Sequence, residues 1–213
     1  MKNHILSLSF LFLFTSLAQA APFTVETKEG KSTFDIDDSF SAEQSMLMKN
    51  ALVKLSRVAT EVGKSNYLIW VSERVTRIRP APETEEHAGA TAYYEDQSIF
   101  VKPVFFESYN QSDFQISILV HEARHSDPYP HVMCSRKLSP KLRPEMKKQI
   151  ACDGNEMGAY GTQFIFLIDL MKQNLNTQNL EADLKDLGVR ILDEKAREKL
   201  QNTARTVFPD FSL

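Results

Sequence analysis

Within Ser98–His125, SIFVKPVFFESYNQSDFQISILVHEARH, the hydrophobic pattern changes its period, and that change sets the reading of the whole chain. The stretch begins β-branched and aromatic, as a strand does. Ser112-Asp113 is a pair suited to capping a helix. Beyond it Ile116, Leu119, Val120 and Ala123 recur at helical spacing, so a helix is expected to run to about Ser126. The other face of that helix carries His121, Glu122 and His125. Residues four apart lie about 40° apart around a helix, so the two histidines can present their imidazoles to one ion. Glu122 sits about 100° round from His121, beside such an ion and not on it. A carboxylate there is placed to take a proton from a metal-bound water.

Upstream, Ala90–Tyr94 and Gln97–Lys102 flank Glu95-Asp96 as a β-hairpin. Tyr67–Ile78, which includes Trp70, is β-branched and aromatic and reads as a strand. Arg79-Pro80-Ala81-Pro82 and the acidic Glu83-Thr84-Glu85-Glu86 read as an exposed loop, with His87 a surface histidine. Phe23–Lys28 and Ser32–Asp37 form a second candidate hairpin. Between them and Tyr67, Ser41–Val62 is periodic as a helix, with Ser39 or Ser41 as its cap and Gly63 as its stop.

Downstream, Pro128, Pro130, Pro140 and Pro144 mark a loop, with room for a short helix at Glu145–Ile150. A long helix is expected from Asp153 to about Asn174. It would carry Asp153, Glu156, Tyr160 and Gln163 on one polar stripe and Gly154, Gly158 and Gly161 on the next, the glycines implying close packing. Amphipathic helices at about Leu180–Leu187 and Val189–Val207 end the chain. No repeat and no linker divides it, so residues 21–213 read as one α+β domain.

Composition narrows the function. A chain of 213 residues, 42% hydrophobic and 25% charged, has the make-up of one globular domain. A net charge of -3, with Lys141, Arg143, Lys147 and Lys148 as the densest basic patch, argues against nucleic-acid binding. Residues 1–20 have a polar start, the apolar run Ile5–Leu17 and the small-x-small site Ala18-Gln19-Ala20, which together read as a signal peptide. The protein is therefore expected to be exported, periplasmic or secreted, with no membrane association after cleavage. In such an oxidising space Cys134 and Cys152 read as a disulfide. Closing that loop stabilises a domain by roughly 3 kcal/mol on chain entropy.

The segment Ser98–His125 resembles the edge strand, linker and active-site helix of the zincin metallopeptidases. HEARHSD, the paired cysteines and CDGNEMGAYG also resemble a group of exported bacterial proteins of uncertain activity. The zincin resemblance implies a zincin-like α+β domain: a small antiparallel or mixed sheet packed on the HExxH helix and on a second long helix. It implies one zinc ion, His121 and His125 as ligands, and Glu122 as general base.

A third ligand has three candidates. His131 follows His125 at the metzincin spacing, although Pro128 stands where that pattern has glycine and no Met-turn can be assigned. Asp153 and Glu156 lie on the later segment, where NEMGA is similar to the gluzincin arrangement. AYG after an acid is similar to the aspzincins, with a different acid-to-tyrosine spacing. The disulfide would bring the His131 loop beside these acids, so that a ligand and its hydrogen-bond partner come from the two sides of one crosslink. Tyr160 is a candidate donor to a developing oxyanion.

The expected function is an exported zinc-dependent hydrolase acting on a peptide or protein substrate laid along the hairpin edge at Gln97–Lys102. The alternative is a secreted binding module, with a structural zinc or an inactive zincin-like core. The cysteine reading gives a first prediction. The native protein should take up no thiol label before denaturation, and reduction should lower its melting temperature. Labelling of Cys134 or Cys152 in the native state would contradict the crosslink.

Overall fold

The computed structural model describes residues 21–60, 65–82, 90–107, 113–134, 151–175 and 180–213. The segment 1–20, the Gly63 stop, the acidic run with His87 and the Ser112 cap lie outside the described residues. So do the basic patch of Lys141, Arg143, Lys147 and Lys148 and the short helix expected at Glu145–Ile150.

Strands β1 (Phe23–Glu26) and β2 (Lys31–Ile36) form the first hairpin, antiparallel as expected. β2 alternates strictly, with Ser32, Phe34 and Ile36 inward and Lys31 and Thr33 outward. Helix α1 (Ala42–Leu55) starts at a capping box: Gln44 N–H donates to Ser41 Oγ at 3.1 Å and Ser41 N–H donates to Gln44 Oε1 at 3.0 Å. It ends at Leu55, short of the expected Val62. The Gln173 side chain captures both the N–H and the C=O of Ala59, each at 3.0 Å, and so holds the chain in a non-helical course.

Tyr67–Ile78 is not one strand. Tyr67–Ser72 is a helix, α2, capped by Asn66, whose side chain accepts from Ile69 N–H at 3.1 Å. Leu68, Val71 and Val75 are all fully buried, a three-and-four spacing that a strand would have split between two faces. Tyr67 also packs edge-on against Phe166 at 4.8 Å and donates to Asp169 Oδ2 at 2.8 Å. These long-range partners override the β propensity of Ile69 and Val71. The strand is shorter and later, β3 (Arg77–Pro80), and includes the Arg79-Pro80 expected in a loop.

β4 (Ala92–Glu95) and β5 (Ser98–Val101) make the second hairpin. Its turn residues are Asp96 and Gln97, both at positive φ, one step beyond the expected Glu95-Asp96. The five strands join one mixed sheet in the order β1-β2-β3-β5-β4, with β2–β3 and β3–β5 parallel. β5 is thus paired on both sides. Among the described residues the sheet edge beside the site is β4, which corrects the expectation that Gln97–Lys102 forms it.

A 3-10 turn at Pro103–Phe106 follows β5. Helix α3 (Asp113–Arg124) is buried on nearly every face, among α2, the β4–β5 hairpin and α4 (Ala159–Lys172). Its buried first residue, Asp113, pairs with Lys54 of α1. Helices α5 (Glu181–Gly188) and α6 (Glu194–Ala204) pack on α4, near the two helices expected there. Two short strands, β6 (Val132–Met133) and β7 (Ala151–Cys152), pair antiparallel, and the Cys134–Cys152 disulfide joins them. Among the described residues no helix is long and apolar enough to cross a membrane.

Helix α4 begins at Ala159 and not at Asp153, so the expected polar stripe does not exist as a helical face. Residues 153–158 instead form a loop folded tightly over the start of the helix. The reading of the glycines as close-packed holds at two positions. A Cβ at Gly158 would stand 2.3 Å from the Asp153 carboxyl carbon, and one at Gly161 would stand 2.2 Å from the Glu156 backbone oxygen. Gly154 has nothing within 4 Å. Gly161→Ala should therefore destabilise the fold by about 1–3 kcal/mol, as overpacking does. Gly154→Ala should stay within about 0.5 kcal/mol of the parent. Urea denaturation of the two variants checks this, and equal losses would contradict it.

Candidate metal centre

The last turn of α3 supplies His121 and Glu122, and His125 follows directly after its end. Past Arg124 the helix tightens, with Ser126 N–H donating to Ala123 C=O at 3.2 Å and Asp127 N–H to Arg124 C=O at 3.0 Å. Tyr129 N–H then donates to Asp127 C=O at 2.7 Å, closing a three-residue turn centred on Pro128. The inverse form of such a turn needs φ near about −75°, close to what the proline ring imposes. Proline at the metzincin glycine position thus redirects the chain by a different turn.

The exit is held by Asp127, whose Oδ2 accepts from Arg124 Nη1 at 2.7 Å and from Arg74 Nε at 3.2 Å. Arg74 lies over the Trp70 ring, and Arg124 lies over Tyr129 and donates to Met157 C=O at 2.7 Å. This clamp sets the direction in which the chain reaches His131.

There the three imidazoles meet. His121, His125 and His131 each offer a ligand atom within 4.8 Å of the others. His121 Nδ1 is bonded to Gln163 Oε1 at 3.1 Å, and His131 Nδ1 to Asp153 Oδ1 at 2.9 Å. Each ring is therefore oriented from behind by an oxygen, which places the hydrogen on Nδ1 and leaves Nε2 bare. The two Nε2 atoms face each other at 3.2 Å. Two bare nitrogens at that separation are placed to share one cation. The donor set, three ring nitrogens, two of them on rings backed by oxygen acceptors, could hold a metal ion.

Burial keeps the imidazoles of His121 and His125 neutral. Burial, reinforced by the charges that His125 and His131 would carry, holds His121 well below the usual histidine range. Burial likewise takes His125 down to about 4. Neutral imidazoles are the form that binds metal. Glu122 is only 7% exposed, and burial pushes its carboxyl up to about 8, opposed by a hydrogen bond from the Tyr94 backbone N–H of β4. Its Oε2 lies 4.0 Å from His125 Nε2.

Tyr160, in the first turn of α4, stacks on His131 at 4.7 Å and meets His121 edge-on. Its hydroxyl oxygen accepts from Arg190 Nη1 at 3.0 Å, and burial raises its pKa, so it keeps a proton to donate.

Of the three candidates for a third ligand, His131 alone joins the cluster. Asp153 stands behind it, with Oδ1 on His131 and Oδ2 accepting from Tyr160 N–H at 2.7 Å and Gly161 N–H at 3.1 Å. Glu156 turns away to Lys199, 3.2 Å from its Nζ. Sequence reasoning missed the Asp127 clamp, although the three-residue spacing of Arg124 and Asp127 was visible in HEARHSD. It placed Gln163 on a polar stripe without a role. Arg74 had no signal at all. Comparison with family models, curated proteins and solved structures finds no match to this chain.

Glu122 makes the metal-free protein pH-sensitive. Its folded pKa of about 8 exceeds the ordinary 4.5, so its contribution to stability is fully present below 4.5 and is lost as pH rises through about 8. Glu122→Gln removes that dependence. In the metal-free protein the melting temperature of the variant relative to the parent should climb between about pH 4.5 and 8 and level off above. Even about 1 kcal/mol would show as roughly 2–4 °C. A difference that is flat with pH would contradict a buried, neutral Glu122.

Proposed function

We propose that this chain is an exported zinc-dependent hydrolase, most specifically a metallopeptidase, with Glu122 as its general base. The observation that carries the reading is one constellation. Three imidazoles converge from α3 and the loop after it, and a buried carboxyl from the same helical turn stands beside them, bonded to the backbone of a sheet edge. A structural zinc is usually closed by four protein ligands. Asp153 and Glu156, the two acids weighed as ligands, are engaged elsewhere, which favours a site with an open position.

In this reading His121, His125 and His131 hold the ion, and Gln163 and Asp153 orient two of the rings. Zinc, when bound, polarises a carbonyl, lowers the pKa of a bound water to about 7 and favours the ionised form of a neighbouring carboxyl. Glu122 accepts a proton from the attacking water at its carboxylate and delivers it to the leaving amine nitrogen. Tyr160, its oxygen held by Arg190, donates its O–H to the developing oxyanion. An extended substrate adds to β4, whose outer edge supplies main-chain hydrogen bonds.

The zincin-like architecture belongs to the same proposal: a mixed sheet ending in an antiparallel strand, an active-site helix beneath it and a second helix behind. Export is supported by the disulfide, which fits an oxidising compartment.

The test combines metal content with activity. The purified parent should carry about one zinc per chain and His121→Ala little, with three-nitrogen coordination as the reason. Glu122→Gln should keep its zinc and lose at least about 10²-fold in hydrolysis of a library peptide that the parent cleaves. Equal zinc in parent and His121→Ala would remove the site. A Glu122→Gln variant as fast as the parent would remove the mechanism. Bound zinc with no parent activity on peptides, proteins or cell-wall fragments would make the protein a zinc-bearing binding module instead.

A further inference from the structure

His131 and His121 are oriented by chemically different partners. Asp153 is a carboxylate, and both of its oxygens can only accept, so whichever one faces His131 puts the hydrogen on Nδ1. Gln163 is an amide. It can face His121 with its oxygen or with its NH2, and the two orientations dictate opposite tautomers. Turned the wrong way, its NH2 would donate to Nδ1 and move the ring hydrogen to Nε2, the atom that faces His131. Something beyond Gln163 must choose.

The chooser lies one turn back on α3. Ser117 is fully buried, and its single hydroxyl hydrogen is spent on the Phe114 carbonyl. Toward α4 its oxygen can therefore only accept. Gln163 Nε2 donates to it at 2.7 Å, which turns the amide oxygen to His121 Nδ1 at 3.1 Å. A neutral imidazole has one N–H, and Nδ1 now holds it. We propose that Ser117 and Gln163 form an orientation relay that sets the tautomer of His121 and so leaves Nε2 as its metal-facing donor. Gln163 is only 3% exposed, so solvent offers no competing partner, and in that low-dielectric setting a mis-set amide is costly. Ser117 is a positioning residue in this scheme. It touches neither the histidine nor the ion.

The relay rests on the reading of His121 as a metal ligand, and its test separates the two. Ser117→Ala removes the chooser without touching His121. In the metal-free protein near neutral pH, ring nitrogen NMR should place the hydrogen of His121 on Nδ1 in the parent. In Ser117→Ala a substantial Nε2–H population should appear. Zinc affinity, measured with zinc alone against a chromophoric chelator, should fall by about 10-fold or more, the range for losing an outer partner of a ligating histidine. Gln163→Glu presents an acceptor in either orientation, so adding Ser117→Ala in that background should change neither tautomer nor affinity.

The relay is overturned if Ser117→Ala leaves the tautomer of His121 as in the parent, or if it costs as much in the Gln163→Glu background. A parent that binds no zinc would sink the metal reading, while the tautomer measurement would still decide the relay. If Gln163→Glu does not fold, the NMR comparison of parent and Ser117→Ala decides alone.

Discussion

One buried carboxylate, that of Asp153, ties the candidate site to the rest of the molecule. Its Oδ2 takes the N–H groups of Tyr160 and Gly161, the second and third residues of α4, and so serves as the N-terminal cap that Gly158 lacks a side chain to provide. Its Oδ1 holds His131. A carboxylate 1% exposed is tolerable because three donors and the positive end of the helix dipole surround it. Its backbone is fixed as firmly. Asp153 N–H donates to Arg190 C=O and its own C=O accepts from Leu192 N–H, both at 2.9 Å, while the preceding residue is crosslinked to Cys134. The start of α4, the linker between α5 and α6 and the His131 loop therefore share one anchor point.

That anchor explains where the glycines fall. The loop 153–158 must double back over the first turn of α4 for the Asp153 side chain to reach it. At Gly158 a methyl group would occupy the place of that carboxylate, and at Gly161 it would meet the loop backbone. Close packing here serves a cap and a histidine partner and not a helix–helix contact.

The second constraint is the burial of α3. An HExxH helix with one wet face would leave its carboxyl ionised and its imidazoles near their ordinary basicity. Here the helix is enclosed on nearly all sides. The same desolvation that keeps the imidazoles neutral holds the Glu122 carboxyl up. Polar groups in such a setting must be satisfied one by one, which is why Gln163, Ser117 and the Tyr94 N–H are each committed to a specific partner.

The local features were legible from the residues. Periodicity and caps located both hairpins, the start of α1, and α3 and α5 to within a few residues, while α1 and α6 are shorter than their patterns, and four-residue spacing placed His121 beside His125. The expectation of an oxidising compartment and the count of two cysteines anticipated the disulfide. These properties depend on neighbours in the chain, and a pattern of neighbours is what a sequence records. Only the tertiary structure decided the remainder. Tyr67–Ser72 is helical because Leu68, Val71 and Tyr67 find buried partners on one side, at positions such as Phe166 and Asp169 that lie far along the chain. α4 starts at Ala159 because Asp153 caps it from a loop. Among His131, Asp153 and Glu156, which residue meets the two histidines and which stands behind follows from where the Pro128 turn and the crosslink bring distant segments together. Spacing along the chain constrains contacts over a turn or two of helix. Beyond that the competing partners are chosen by burial and by the satisfaction of each enclosed polar group.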